Sequence, residues 1–118
     1  MSRVREIFQK KERRKARLNS SMNLIIRELE KMGVIKIILF GSLVEGEIDI
    51  HSDLDLLIIM PSGRSGRQWM KLIYETLSRE VASDLIVYNE DEFEEKLKIS
   101  RFLQSIVNSG RVVYEKTN

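Results

Sequence analysis

Two nearly uninterrupted apolar runs constrain this chain more than any other feature of its sequence. Residues 34–40 and 54–60 consist mainly of Ile, Leu and Val, with Lys36 and Asp55 as polar exceptions. Such runs are typical of strands that are covered on both faces. Gly41-Ser42 follows the first run directly, and Pro61 closes the second run before a glycine-containing turn. We therefore expect a sheet with helices on its faces.

Amphipathic helices supply the covering layers that such a sheet needs. Apolar residues recur at three- and four-residue steps at Leu18, Met22, Ile25, Leu29 and Met32, and Val4, Ile7 and Phe8 begin a similar stripe. This spacing predicts one long or broken helix over about 3–31, ended by Gly33. A second apolar face runs from Trp69 through Leu72, Ile73 and Leu77 to Glu80, and one or two further helices are expected between Phe93 and Val107.

Shorter strands are predicted at 85–88 and 111–115, so that helices and strands alternate along the chain. The expected fold class is therefore α/β (α+β), a small mixed sheet with helices packed against it. With 118 residues, the chain is expected to form a single domain over 1–118.

Composition removes several classes of site. The absence of cysteine excludes disulfides, thiolate metal sites and cysteine nucleophiles, and the single histidine, His51, excludes a multi-histidine metal site within one chain. His51 itself reads either as a solvated loop residue or as a proton shuttle. No apolar run approaches the roughly 20 residues of a membrane span. A cytoplasmic location without membrane contact is the resulting expectation.

The charge is distributed unevenly along the chain. Residues 1–31 contain ten Lys or Arg and four Asp or Glu, a net charge of +6, whereas the remaining residues have a net charge of −4. The basic stretch at residues 10–15 indicates contact with nucleic acid or an acidic partner, or simply a solvated helix face.

The stretch Asp53-Leu54-Asp55 carries the clearest chemistry. Residues two apart on a strand point to the same face, with their α-carbons about 6.6 Å apart. Asp53 and Asp55 could therefore hold one or two Mg²⁺ ions, which prefer carboxylates together with phosphate oxygens of a substrate. The alternative is an ordinary turn or cap before a strand. That alternative leaves an unpaired acid near the core, which is costly.

Gly41-Ser42 and Asp84 complete the candidate site. Glycine allows backbone to approach a ligand closely, and free N–H groups at such a turn can bind an anion, with the Ser42 hydroxyl as a further donor. A nucleoside triphosphate would connect the two parts of the site, with its phosphates against Gly41-Ser42 and its metal ions bound by Asp53 and Asp55. Asp84, at the start of the apolar run 85–88, is the candidate third carboxylate beside an attacking hydroxyl, or else part of a turn with Ser83.

Taken together, these residues resemble a minimal nucleotidyltransferase of the DNA polymerase β superfamily. The resemblance is carried by Leu39-Phe40-Gly41-Ser42, a ten-residue gap, Ser52-Asp53-Leu54-Asp55-Leu56-Leu57 and the later Asp84-Leu85-Ile86-Val87, with the leading helix and residues 110–115. It implies the polymerase β-like palm fold and transfer of a nucleoside monophosphate, with AMP from ATP as the favoured case, to a hydroxyl. By this likeness Asp53, Asp55 and Asp84 are catalytic and hold Mg²⁺, with two ions expected, and Gly41 and Ser42 bind the nucleotide.

The resemblance also suggests a partner. Small stand-alone members are similar to antitoxins whose partner is an all-helical HEPN ribonuclease toxin, which they silence by adding AMP to a tyrosine. Surface that larger relatives carry on a second domain would come from such a partner or from self-association. The alternative is a catalytically weak or inactive module that neutralises its partner by occlusion, or one that binds nucleic acid.

One departure from the family pattern concerns charge near the phosphates. The family often has a basic residue at the position of Glu45, and here Glu45, Glu47 and Asp49 make the gap acidic. The sequence offers Arg64 and Arg67 as replacement cations, or else as residues of a solvated loop.

Overall fold

A computed structural model describes residues 3–77 and 83–117 and confirms the mixed α/β fold. In chain order the elements are α1 (Arg3–Lys31), β1 (Lys36–Phe40), α2 (Ser42–Glu45), β2 (Leu54–Met60), α3 (Gly66–Thr76), β3 (Ser83–Asn89), α4 (Glu90–Leu97), α5 (Arg101–Ser109) and β4 (Arg111–Glu115). The predicted long first helix is continuous, and the last helical region forms two helices. Glu80, predicted for the face of α3, lies outside the described residues.

The four strands form one mixed sheet in the order β3-β2-β1-β4. Strand β1 is antiparallel to both β2 and β4, whereas β2 and β3 are parallel. The end of β1 therefore meets the beginnings of β2 and β3 at one edge of the sheet. This edge receives both the Gly41-Ser42 turn and the first residues of β2 and β3.

Alternating side chains of the sheet build a core on each face. One core joins α1 and α3 to the sheet and includes Leu18, Ile25, Ile37, Leu39, Leu56, Ile58, Trp69, Ile73, Leu85 and Val87. The other core joins α5 to Ile38 and Leu57 through Leu103 and Ile106. Both long apolar runs are thus covered on both faces, as their composition predicts.

Helix α1 packs on the sheet only through its second half. All of its buried residues lie between Leu18 and Leu29, whereas Val4 is 74% and Phe8 61% exposed. A helix of 29 residues is about 43 Å long. The first half of α1 therefore extends beyond the sheet and accounts for much of the 56 Å long axis of the molecule. None of the helices in the described ranges combines the length and apolarity needed to cross a membrane.

Leu18 and Leu24 test this division of α1 with the same chemical change. Leu18 is fully buried and Leu24 is 52% exposed. We expect Leu18→Ala to lower the free energy of unfolding by about 2–5 kcal/mol, because it removes buried contacts and leaves a cavity. Leu24→Ala should change it by less than about 1 kcal/mol. Urea denaturation measures both, and equal losses would show that α1 packs differently.

Candidate functional site

The sheet register brings the predicted acidic residues to one edge. Asp55 lies opposite Phe40 of β1 and opposite Asp84 of β3. Paired residues of adjacent strands point to the same face, and neighbouring strands are about 4.8 Å apart. Asp55 and Asp84 therefore lie side by side, and Asp53 directly precedes the strand that carries Asp55. The structure thus places the three carboxylates that the sequence singles out at the same end of neighbouring strands.

Gly41 makes the turn from β1 into α2 directly against Asp55. Its φ of 79° and ψ of −155° belong to a region that essentially only glycine occupies. A Cβ built on Gly41 would overlap the Asp55 Oδ2 atom and would lie 3.1 Å from the Asp55 Cγ atom. Glycine is needed here both for the backbone conformation and for the space that the Asp55 carboxylate occupies.

Ser42 begins the four-residue helix α2 beside this turn. The Gly41 carbonyl accepts hydrogen bonds from the backbone N–H groups of Val44 and Glu45, each at 3.1 Å. The first N–H groups of a helix have no acceptor within the helix. Ser42 therefore lies at a helix start with backbone N–H groups that are unpaired within the helix, directly after Gly41, which lies against the Asp55 carboxylate. Its predicted contact with phosphate remains a prediction.

A hydrogen-bonded loop places Asp53 at the start of β2. The backbone N–H of Asp49 donates to the Ser52 hydroxyl at 2.9 Å, and the backbone N–H of His51 donates to the Asp49 carboxylate at 2.7 Å. Ser52 is buried, and His51 is exposed on the outside of the loop. These contacts hold the loop closed, so that Asp53 projects from its end with 48% of its side chain exposed.

Arg14 of α1 approaches this loop from the other side. Its Nε donates to the Ser52 carbonyl oxygen at 2.9 Å, and its Nη2 lies 3.7 Å from the Asp53 Oδ1 atom. The Arg14 side chain is only 19% exposed. Arg14 thus places a cation beside the acidic cluster. The sequence identifies Arg14 only as part of the basic stretch 10–15 and does not predict this contact. No local signal links residues 14 and 53, because only the packing of α1 brings them together.

The environment of Asp55 is strongly negative. Burial raises the pKa of the Asp55 carboxyl above its ordinary value of 3.8, and the charges of Asp84 and Asp53 raise this pKa further. Each cause disfavours the ionised form. A cation bound among these groups would relieve the repulsion, and carboxylate oxygens are ligands that Mg²⁺ prefers. The donor set therefore fits a hard divalent ion.

The carboxylates do not form a ready-made metal cage. Within residues 3–77 and 83–117, no three His, Cys, Asp or Glu side chains converge closely enough to hold a metal ion. Repulsion among the ionised carboxylates and the attraction of Asp53 to Arg14 both act to keep the three groups apart. Metal binding at this edge would require side-chain rotation, for which the exposed Asp84 has room.

The loop cations predicted as phosphate ligands lie elsewhere. Arg64 follows the far end of β2, where its guanidinium lies 5.0 Å from the centre of the Trp69 ring. Its carbonyl oxygen accepts a hydrogen bond from Asn89 at the far end of β3. The five residue-to-residue steps from Asp55 to Met60 span about 16 Å. Arg64 and the neighbouring Arg67 therefore belong to the opposite edge of the sheet and cannot replace a cation at Glu45.

An exposed aromatic side chain lies beside the acidic cluster and was not singled out by the sequence. The Phe102 ring of α5 packs edge-on against Phe40, with 6.1 Å between the ring centres, and Phe102 is 57% exposed. Since Phe40 lies opposite Asp55, the ring provides an apolar surface near the carboxylates. Phe102 falls within the helical region that the sequence predicts between Phe93 and Val107, and no sequence signal marks it as exposed.

Comparison with known proteins finds a family model and a solved structure that are similar to this chain. The family model described as a nucleotidyltransferase domain matches residues 21–113. A solved structure of a protein from Sulfolobus solfataricus, provisionally named a nucleotidyltransferase, superposes with a TM-score of 0.62 at 14% sequence identity, over 91% of this chain and 88% of that one. At this identity the structural likeness concerns the fold alone. No curated protein matches the chain.

Gly41 and Gly46 form a matched pair for testing the turn. Both have positive φ, 79° and 76°, but a Cβ on Gly46 would meet nothing within 4 Å. We expect Gly46→Ala to lower the free energy of unfolding by about 1–2 kcal/mol for the left-handed backbone alone. Gly41→Ala should cost roughly 2 kcal/mol more, because the new methyl group displaces the Asp55 carboxylate. Equal losses in urea denaturation would contradict the contact with Asp55.

The raised pKa of Asp55 predicts a pH-dependent gain in stability from Asp55→Asn. A raised pKa in the folded state means that ionisation destabilises the fold, so that stability is lost as pH rises through this pKa. In metal-free buffer at pH 7 the variant should melt roughly 1–4 °C higher, because it has no charge at this partly buried position. The gain is small because solvent screens the charge. The difference should shrink below pH 3.8, where Asp55 is protonated in both states.

The control is Glu94→Gln, which removes an exposed acid on α4. It should leave the melting temperature unchanged within error at both pH values. A lower melting temperature for Asp55→Asn at pH 7 would show that the carboxylate stabilises the fold.

Proposed function

The chain belongs to the nucleotidyltransferase domain family, and on this basis we propose that it transfers AMP from ATP to a hydroxyl group in a magnesium-dependent reaction. The observation that carries the proposal is the juxtaposition of Gly41 and Ser42 with Asp53, Asp55 and Asp84 at one sheet edge. General nucleotidyl transfer follows from the family. The metal, the nucleotide and the acceptor are the proposed refinements.

Each residue of this edge has a proposed role. Asp53, Asp55 and Asp84 would hold Mg²⁺, with two ions expected, and Gly41 and Ser42 would contact the phosphates of ATP. When bound, magnesium ions neutralise phosphate charge and lower the pKa of a coordinated hydroxyl group. Support for the ligand set comes from the chemistry of the donors, which are all carboxylates. The pKa of Asp55 is raised first by burial and then by the charges of Asp84 and Asp53, and a bound cation would offset both effects.

Asp84 is the residue we assign to the acceptor. It is exposed, so that an incoming hydroxyl can reach it, and it lies opposite Asp55 in the register. In the proposed step the acceptor oxygen forms a bond to the α-phosphorus and the bond to the β-phosphate oxygen breaks. Pyrophosphate leaves, and the hydroxyl proton passes to the Asp84 carboxylate. Asp84 thus orients and deprotonates the acceptor.

The favoured acceptor is a tyrosine of a helical HEPN-type toxin, which would make this protein an antitoxin. Support comes from the resemblance to small stand-alone nucleotidyltransferases and from the surface beside the carboxylates. The exposed Phe102 ring, which packs against Phe40 opposite Asp55, provides apolar area there, as a docking surface for a protein needs. A small molecule would require an enclosing pocket instead.

A second candidate is a binding module that neutralises its partner by occlusion alone. The pairing of Asp53 with Arg14 favours it, because a metal ligand is already engaged by a cation. Under this alternative the carboxylates have no catalytic role, and their removal leaves neutralisation of the partner intact.

Labelled ATP distinguishes these functions. The purified protein is incubated with α-labelled ATP, Mg²⁺ and the product of the adjacent reading frame, for which a helical protein with an Arg-x4-6-His pattern is expected. We predict label on a tyrosine of that protein and no label after chelation. Asp53→Ala/Asp55→Ala should lower the rate by about 100-fold or more, because it removes the proposed metal ligands.

The matched control is Glu45→Ala/Glu47→Ala, which removes two exposed acids from the neighbouring loop. It should retain activity within a few-fold. If the Asp53→Ala/Asp55→Ala protein silences the partner as fully as the unchanged protein, occlusion is the function. If neither the unchanged protein nor the control variant labels the partner with any nucleotide, the proposed transfer reaction is overturned.

A further inference from the structure

Four cations on one side of α1 enclose a small surface cavity. Lys10, Arg13, Arg14 and Arg17 follow the i, i+3, i+4, i+7 spacing that places side chains on one helix face. With Ile50 of the loop before β2, they line a cavity of about 280 Å³. We call these four residues the basic face. The exposed Val4 and Phe8 lie on a different side of the helix.

Most of this charge is not neutralised by the protein. Within residues 3–77 and 83–117, Arg14 pairs with Asp53, whereas Lys10, Arg13 and Arg17 form no ion pair. The acid on the same side of the helix is Glu6, one turn before Lys10. Residues 1–31 have a net charge of +6 against −4 for the rest of the chain. The basic face therefore attracts anions.

The basic face adjoins the acidic cluster. Arg14 belongs to both, since it donates to the Ser52 carbonyl oxygen and lies 3.7 Å from the Asp53 carboxylate. From Lys10 to Arg17 the helix rises about 10.5 Å. This length allows contact with more than one successive phosphate of a nucleic-acid strand, each of which has a negative charge.

The chemistry of the basic face favours phosphate over protein carboxylates. Three of its four cations are arginines, whose planar guanidinium groups bind phosphate in a bidentate manner. Among the residues that the structure describes, Ile50 is the one apolar residue that lines the cavity. Protein interfaces usually need a cluster of buried apolar or aromatic anchors, which this face does not provide.

We propose that the basic face of α1 binds the phosphate backbone of a nucleic acid and holds the strand beside the carboxylates. This binding goes beyond the proposed nucleotidyl transfer and does not depend on it, because it requires neither ATP nor metal. The strand lies along α1 with one end at the loop that precedes Asp53.

Fluorescence anisotropy with a labelled single-stranded 12-nucleotide RNA tests the proposal on the full chain, without ATP or metal. Arg13 and Arg17 are exposed and make no ion pair with described residues, so Arg13→Glu/Arg17→Glu should weaken binding at least tenfold. It should also reduce the salt dependence of the binding constant by a slope of about 1 or more, because two phosphate contacts are lost.

The control is Lys11→Glu/Lys15→Glu, which makes the same charge change on the same helix outside the cavity. It should bind RNA within about threefold of the unchanged protein if contacts rather than net charge decide. Equal weakening by both variants overturns the proposal, as does absence of RNA binding at low salt. Tighter binding of a 12-residue polyglutamate peptide than of RNA also overturns it in favour of an acidic protein. If circular dichroism shows that either Glu variant has lost helix, both variants are replaced by the corresponding double substitutions to Gln at the same positions.

Discussion

The register of β2 between its two neighbours is the constraint on which the acidic edge depends. Asp55 lies opposite Phe40 on one side and Asp84 on the other. The carboxylates cannot maintain this register themselves, since their charges repel. The register is maintained by the alternation of buried and more exposed side chains along β3, in which Leu85 and Val87 are buried in the core beneath α1 and α3. A slip of one residue would expose these two side chains and turn Asp84 to the opposite face.

Much of the fold could be predicted because its main signals are local. The apolar run of β2 and the periodicity of α1 mark those elements almost to the residue. The start of β3 could not be predicted this way, because Ser83 and Asp84 are polar and join the strand only by pairing with Leu54 and Asp55. The short helix α2 could likewise not be predicted, since four residues show no periodicity.

The candidate site divides along the same line. Asp53 and Asp55 are two residues apart, so that their proximity follows from strand geometry alone. The proximity of Asp84 to Asp55 requires β2 and β3 to be parallel neighbours. This pairing depends on how α3, which connects the two strands, packs on the sheet. The contact of Arg14 with the Ser52 carbonyl joins residues 38 positions apart. The first half of α1 has Lys and Arg side chains on several sides. Only the burial of residues such as Leu18 fixes the rotation of the helix and so decides which of these cations faces the loop.

The fit between Gly41 and Asp55 has a consequence for how this protein can diverge. The carboxylate occupies the volume that any side chain at position 41 would need. A larger residue at 41 therefore requires the Asp55 side chain to move or to be replaced, so that variation at the two positions is coupled.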